Sequence, residues 1–188
     1  MIFKNKKLGI CITKDIINRR SFWERINSIS NLQKISILNS YDYNTMNLYA
    51  QRLKTFKNSF WQQINYKENE TIEFEKEYKL DILLIIADEE IISKLANNIF
   101  DIWITKIIAY QLIKGKPIVI GIYIKDGLST NAENIGKLLN RKNYYFIPFK
   151  QINPITKPYF LSFDENYIDK TIENALIGKQ IQPILVSL

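Results

Sequence analysis

Histidine is absent from the 188 residues, and that absence removes more chemistry than any motif adds. Histidine is the usual proton carrier near neutral pH and a common metal ligand. Without it, Ser-His-Asp and Cys-His catalysis and typical zinc sites are excluded, and no metal is expected. Any reaction must rest on carboxylates, lysine, tyrosine, backbone amides or a bound cofactor. Cysteine occurs once, as Cys11, which rules out an internal disulfide and suits a reducing compartment. No stretch nears the ~20 consecutive apolar residues of a membrane-spanning helix. The basic start, Met1 to Lys7, leads only into a short apolar run at 8–12, too short for a secretory leader. The expected location is the cytoplasm, with no membrane partner.

The remaining composition describes a globular chain. Apolar residues make up 46% and charged ones 24%, enough for one domain over 1–188 with a sizeable core. The net charge of +7 is spread along the chain, in pairs such as Lys6–Lys7, Arg19–Arg20 and Arg141–Lys142, among acidic residues. That spacing reads as a solvated surface. Nucleic-acid binding would need a coherent basic face with stacking aromatics, and none is visible.

Apolar runs alternate with segments of helical period, the pattern of a parallel sheet with crossover helices. Strands are expected at 8–13, 35–38, 80–87, 117–124 and 144–149, so the sheet has about five parallel strands. The runs LDILLIIA and PIVIGIYI are apolar throughout, as central strands buried on both faces must be. Helices are expected at 15–30, with Ile16, Trp23, Ile26 and Ile29 near one face, and at 45–63. Further helices follow at 88–100, 105–114, 131–140 and 164–176. Gly115 with Pro117 ends one of these and Gly178 another. Residues 67–79 read as a loop or short helix, and a loop runs through Pro154 and Pro158. No repeat, linker or low-complexity tract interrupts the pattern.

In an open parallel sheet, ligands sit at the carboxyl ends of the strands. A phosphate there is served by glycine, which lets the backbone approach, and by free N–H groups at a helix start. The turn after the first strand instead reads Thr13-Lys14-Asp15. Thr13 could donate a hydrogen bond and Lys14 could neutralise an anion, while Asp15 suits an N-cap. The turn after 80–87 reads Asp88-Glu89-Glu90, three carboxylates that favour the helix dipole and repel a phosphate. The loop at 125–134 offers Asp126, Asn131 and Asn134 as acceptors and amide donors, with Gly127 permitting a tight turn. Capping of the next helix by Ser129, Thr130 or Asn131 is the competing explanation.

From Gly115 onward the sequence resembles the family of B-type subunits of dipicolinate synthase. The resemblance rests on GKPIVIGIYIKDGLSTNAENIGKLLNRKNYYFIPF, on Asn153-Pro154 and Lys157-Pro158, and on TIENALIGKQIQPILV. ISKLANNIFD at 92–101 and KLGICIT near the start also match. It implies a Rossmann-like or flavodoxin-like three-layer α/β sandwich, related to flavin-containing cysteine decarboxylases, with about five to six parallel strands. It further implies an oxidoreductase subunit in a homo-oligomer, converting a dihydrodipicolinate precursor to dipicolinate in sporulation. The A-type subunit of dipicolinate synthase would be the partner and would carry NADP, and the substrate would be small and acidic. The cofactor-binding residues implied are Thr13, Lys14, Ser93, Lys94, Asn97, Asp126, Asn131 and Asn134, around FMN. No catalytic residue is identified.

The chain departs from the family at two places. Glycine and serine usually follow the position of Thr13, and a turn with proline, threonine and asparagine usually precedes Ser93. Here both are acidic, and the histidine of the decarboxylase branch is missing. Two readings therefore stand: an active subunit with or without flavin, or a diverged binding module that keeps the fold and has lost FMN.

Overall fold

Eight strands and five α-helices lie along the residues described by the computed structural model, which are 5–11, 16, 19–30, 32–39, 61–66 and 79–187. Strands β1 (Lys6–Cys11), β2 (Leu32–Asn39), β3 (Trp61–Tyr66), β4 (Ile82–Ala87), β5 (Ile118–Ile124) and β6 (Tyr144–Phe146) are all parallel. Their spatial order is β3-β2-β1-β4-β5-β6, so the chain steps outward from β1 and then returns to its other side at β4. That reversal defines the Rossmann-like α/β arrangement.

Two layers of helix cover the sheet. On one face lie α1 (Arg20–Ser28) and α5 (Ile168–Leu176); on the other lie α2 (Glu89–Ala96), α3 (Trp103–Ile113) and α4 (Ala132–Leu139). Period-two alternation sorts the strand side chains between them. Ile82, Leu84 and Ile86 of β4 join Phe22, Trp23 and Ile172 in one core cluster, and Leu83, Ile85 and Ala87 join Ile91, Ile107 and Leu138 in the other. Every residue of β4 is buried, as its unbroken apolar run requires. Burying each isoleucine or leucine contributes roughly 1.5–3 kcal/mol. Ile16, Trp23, Ile26 and Ile29 are all buried, as expected of one helix face. The helix itself is shorter than the expected 15–30: α1 starts at Arg20 after an extended Arg19 and ends at Ser28, with Ile29 as its C-cap. Gly115 and Gly178 end α3 and α5 at positive φ (66° and 75°), a conformation that glycine adopts without steric cost.

Three further expectations need correction. Residues 61–63 lie in strand β3, not in the helix expected at 45–63; the rest of that helix falls outside the described residues. Backbone pairing of β3 with β2, from Lys34↔Trp61 to Asn39↔Tyr66, makes these residues strand, and the apolar positions whose spacing suggested a helix all lie outside the described residues. The expected strand at 144–149 stops at Phe146. Its last residue, Phe149, begins another strand instead. The loop through Pro154 and Pro158 is a hairpin of β7 (Phe149–Asn153) and β8 (Lys157–Phe163). This hairpin is antiparallel to β5, where Tyr123 pairs with Ser162 and Ile124 with Leu161. β6 pairs only with Ile118–Ile120, and β8 takes up the backbone groups at Tyr123 and Ile124 that β6 leaves open. Pro158 is tolerated because it sits at the second residue of β8.

Candidate functional site

The chain order places the ligand edge at the carboxyl ends of β1 and β4, where successive connections diverge to opposite sides. Thr13, Lys14 and Asp15, which follow β1 in sequence, lie outside the described residues. The described wall consists of the turn after β4, the loop after β5, and the start of α1 with the end of β8.

In the turn after β4, Asp88 and Glu89 are partly buried and engage backbone amides, while Glu90 is exposed. Asp88 is the N-cap of α2, and its Oδ1 accepts from the Ile91 N–H at 3.0 Å. Glu89 reaches across to β5, where its Oε1 accepts from the Lys125 N–H at 2.7 Å. Glu90 pairs at 3.6 Å with Lys94, whose ammonium is held more closely by Asp101, at 2.7 Å. Burial holds the Asp88 carboxyl above the usual range, helped by the neighbouring charges of Glu89 and Glu90 and opposed by the bond from Ile91. A flavin phosphate does not fit these residues. Each phosphate–carboxylate pair of unit charges ~4 Å apart costs about 4 kcal/mol at an effective dielectric near 20.

The loop after β5 draws three candidates together. Asn131 is almost fully buried, and its amide donates to both Asp126 carboxylate oxygens, at 2.9 and 3.1 Å. Asn134 in turn donates to Asn131 Oδ1 at 2.9 Å. Asn131 occupies the N-cap position of α4, yet its side chain makes no capping bond; it serves the loop instead. Gly127 is needed for close approach, because a Cβ there would lie 2.8 Å from Leu161 Cδ1.

Ser93, Lys94 and Asn97 do not join this group. They follow one another along α2, and at 1.5 Å per residue Asn97 lies about 12 Å from Glu89, toward the opposite end of the helix. The Asn97 amide donates to Ser93 O at 2.8 Å. Beyond it, the Arg141 guanidinium donates to Leu95 O at 2.7 Å, Ala96 O at 2.6 Å and Asn98 Oδ1 at 2.9 Å, closing that helix end.

Arg19 is the residue whose place sequence reading missed. Arg20 is exposed and pairs with Glu24, whereas the Arg19 guanidinium lies over the rings of Tyr123 (5.6 Å) and Phe163 (5.2 Å). Its Nε meets Glu165 Oε1 at 2.7 Å and its Nη1 donates to Ser162 Oγ at 3.2 Å. Nothing in the Arg19–Arg20 pair distinguished the two, because the partners of Arg19 lie more than a hundred residues away in sequence. Cys11 is fully buried, and burial raises its thiol far above the range of a reactive thiolate. Among the described residues no group of three or more Cys, Asp or Glu is arranged to hold a metal ion, and no helix is long and apolar enough to cross a membrane.

No protein-family model matches the sequence. The B subunit of dipicolinate synthase from Bacillus subtilis (strain 168) is 38% identical over 94 residues, which is 50% of this chain and 47% of that protein. The sequence match therefore spans about half the length of the curated relative. The crystal structure of the dipicolinate synthase B subunit from Bacillus halodurans C superimposes with a TM-score of 0.84 at 26% identity, covering 100% of this chain and 99% of that one. An FMN-dependent cysteine decarboxylase superimposes with a TM-score of 0.59 at 15% identity, covering 94% and 98%, a likeness of fold alone.

Proposed function

Because the chain resembles the B subunit of dipicolinate synthase in both sequence and fold, we propose that it serves as a B-type subunit in dipicolinate formation. In this reading it works with the A-type subunit on a dihydrodipicolinate precursor during sporulation. The oxidation removes a hydride, which passes to NADP on the A-type partner, and releases a proton as the pyridine ring becomes aromatic. The observation that carries the reading is the end-to-end superposition on the Bacillus halodurans protein. We read residues 1–188 as one domain, since all described strands join one sheet. The chain is proposed to be cytoplasmic and homo-oligomeric. The loop of Asp126, Asn131 and Asn134 is its ligand-facing element, and the surplus of lysine suits an acidic substrate.

Reconstitution tests this. The purified A-type partner, NADP and precursor are expected to yield dipicolinate faster when this chain is added. No increase from a folded sample would count against the B-type role.

A second reading is favoured by Asp88 and Glu89, whose carboxylates already hold backbone amides at the ligand edge. Here the chain is a non-catalytic binding module that has kept the fold and lost flavin. It predicts that the chain binds the A-type partner without changing its rate of dipicolinate formation.

A further inference from the structure

An anion entering the carboxyl edge of this sheet would need donors of two kinds: the open N–H groups in the first turn of α2, and N–H groups just past the ends of the neighbouring strands. One donor of each kind is already engaged. The Ile91 N–H is held by Asp88 at 3.0 Å, and the Lys125 N–H, immediately past β5, is held by Glu89 at 2.7 Å. The nearby ammonium of Lys94 is likewise engaged, by Asp101 at 2.7 Å and Glu90 at 3.6 Å.

We propose that Asp88 and Glu89 form a built-in anion plug, in which the chain's own carboxylates take the donors at the ends of β4 and β5. The β4–β5 part of the edge thereby excludes the phosphate of FMN and of other phosphate-bearing cofactors. The geometry differs from that of an acidic surface patch. Glu89 comes from α2 and its donor from the end of β5, 36 residues later, so the contact closes the gap between two neighbouring strand ends. Asp88 is half-buried, and its charge is poorly screened by solvent.

Titration with FMN and with riboflavin, which has the same ring and no phosphate, separates phosphate exclusion from poor ring binding. Binding is read from quenching of flavin fluorescence. The plug is opened by Asp88→Ser with Glu89→Ala: serine still caps α2, while the Lys125 N–H is released and both charges are removed. FMN affinity is expected to rise at least about tenfold over wild type, with riboflavin unchanged. The isosteric pair Asp88→Asn and Glu89→Gln keeps both hydrogen bonds and guards against misfolding; it is expected to give a smaller gain, again for FMN only. Stoichiometric FMN binding by the wild-type protein overturns the proposal. An absence of FMN gain in both variants, or an equal gain for riboflavin, overturns it too. Dipicolinate formation with the A-type partner is measured separately, so the plug and the B-type role can fail independently.

Discussion

Replacing Gly121 with alanine probes how closely β4, β5 and β8 depend on one another. Gly121 stands in mid-strand on the face covered by α1 and α5. A Cβ there would lie 2.6 Å from Ile86 Cδ1, 3.1 Å from Phe163 Cγ and 3.2 Å from Ile147 Cδ1. The Ile86 methyl can swing aside, but the ring carbon of Phe163 has little room. Overpacking of this kind costs about 1–3 kcal/mol. Alanine returns about 0.4–1 kcal/mol by restricting the unfolded chain. The net expectation for Gly121→Ala is a loss of about 1–2 kcal/mol, read as a lower urea midpoint with unchanged slope. Ile86→Val alone costs about 0.5–1.5 kcal/mol, but it also deletes the methyl at 2.6 Å. The double variant should therefore lose less than the sum of the singles, by about 0.5 kcal/mol or more. A wild-type midpoint for Gly121→Ala, or strict additivity in the double, refutes the packing account.

Two further outcomes follow from the ends of α2. Folded Asp88 releases its proton at higher pH than unfolded Asp88, so its contribution to stability is lost as pH rises from the ordinary carboxylate value through the raised one. Asp88→Asn still caps the helix but does not titrate, so its urea midpoint should gain on that of wild type across this window; a constant gap would contradict the burial argument. At the other end, Arg141→Ala frees three acceptors and should cost about 2 kcal/mol, lowering Tm by about 4–8 °C. Arg141→Lys should recover less than half of that, because one ammonium nitrogen lacks the rigid planar fork by which Nη1 and Nη2 reach their separate acceptors. An unchanged Tm in Arg141→Ala would show that the carbonyls are equally well served by water.

Local pattern carried the central strands and most of the helices. The continuous apolar runs at 82–87 and 118–124 could be satisfied only by burial on both faces, and Gly115 and Gly178 marked helix ends because positive φ suits them. Strand β3 and the β7–β8 hairpin were missed for a common reason. Their identity rests on backbone partners in β2 and β5, which no window of neighbouring residues contains. The run Tyr159-Phe160-Leu161-Ser162-Phe163 was the available signal for β8, masked by the prolines before it.

The candidate site divides along the same line. Sequence alone determined that no histidine chemistry operates here and that acidic residues stand at the turn after β4, where a phosphate site wants glycine and hydroxyls. It also marked Asp126, Asn131 and Asn134 as acceptors and amide donors in the loop after the strand at 117–124. Only the tertiary structure decided what these groups do. Asp88 caps its own helix, Glu89 crosses to Lys125, and Arg19, partly buried, lies over Tyr123 and Phe163. Charge and helix-end preference are local properties, set by residue type within a few positions. The partner of a carboxylate or guanidinium is set by which strand ends the sheet brings side by side, and strand order here is not sequence order.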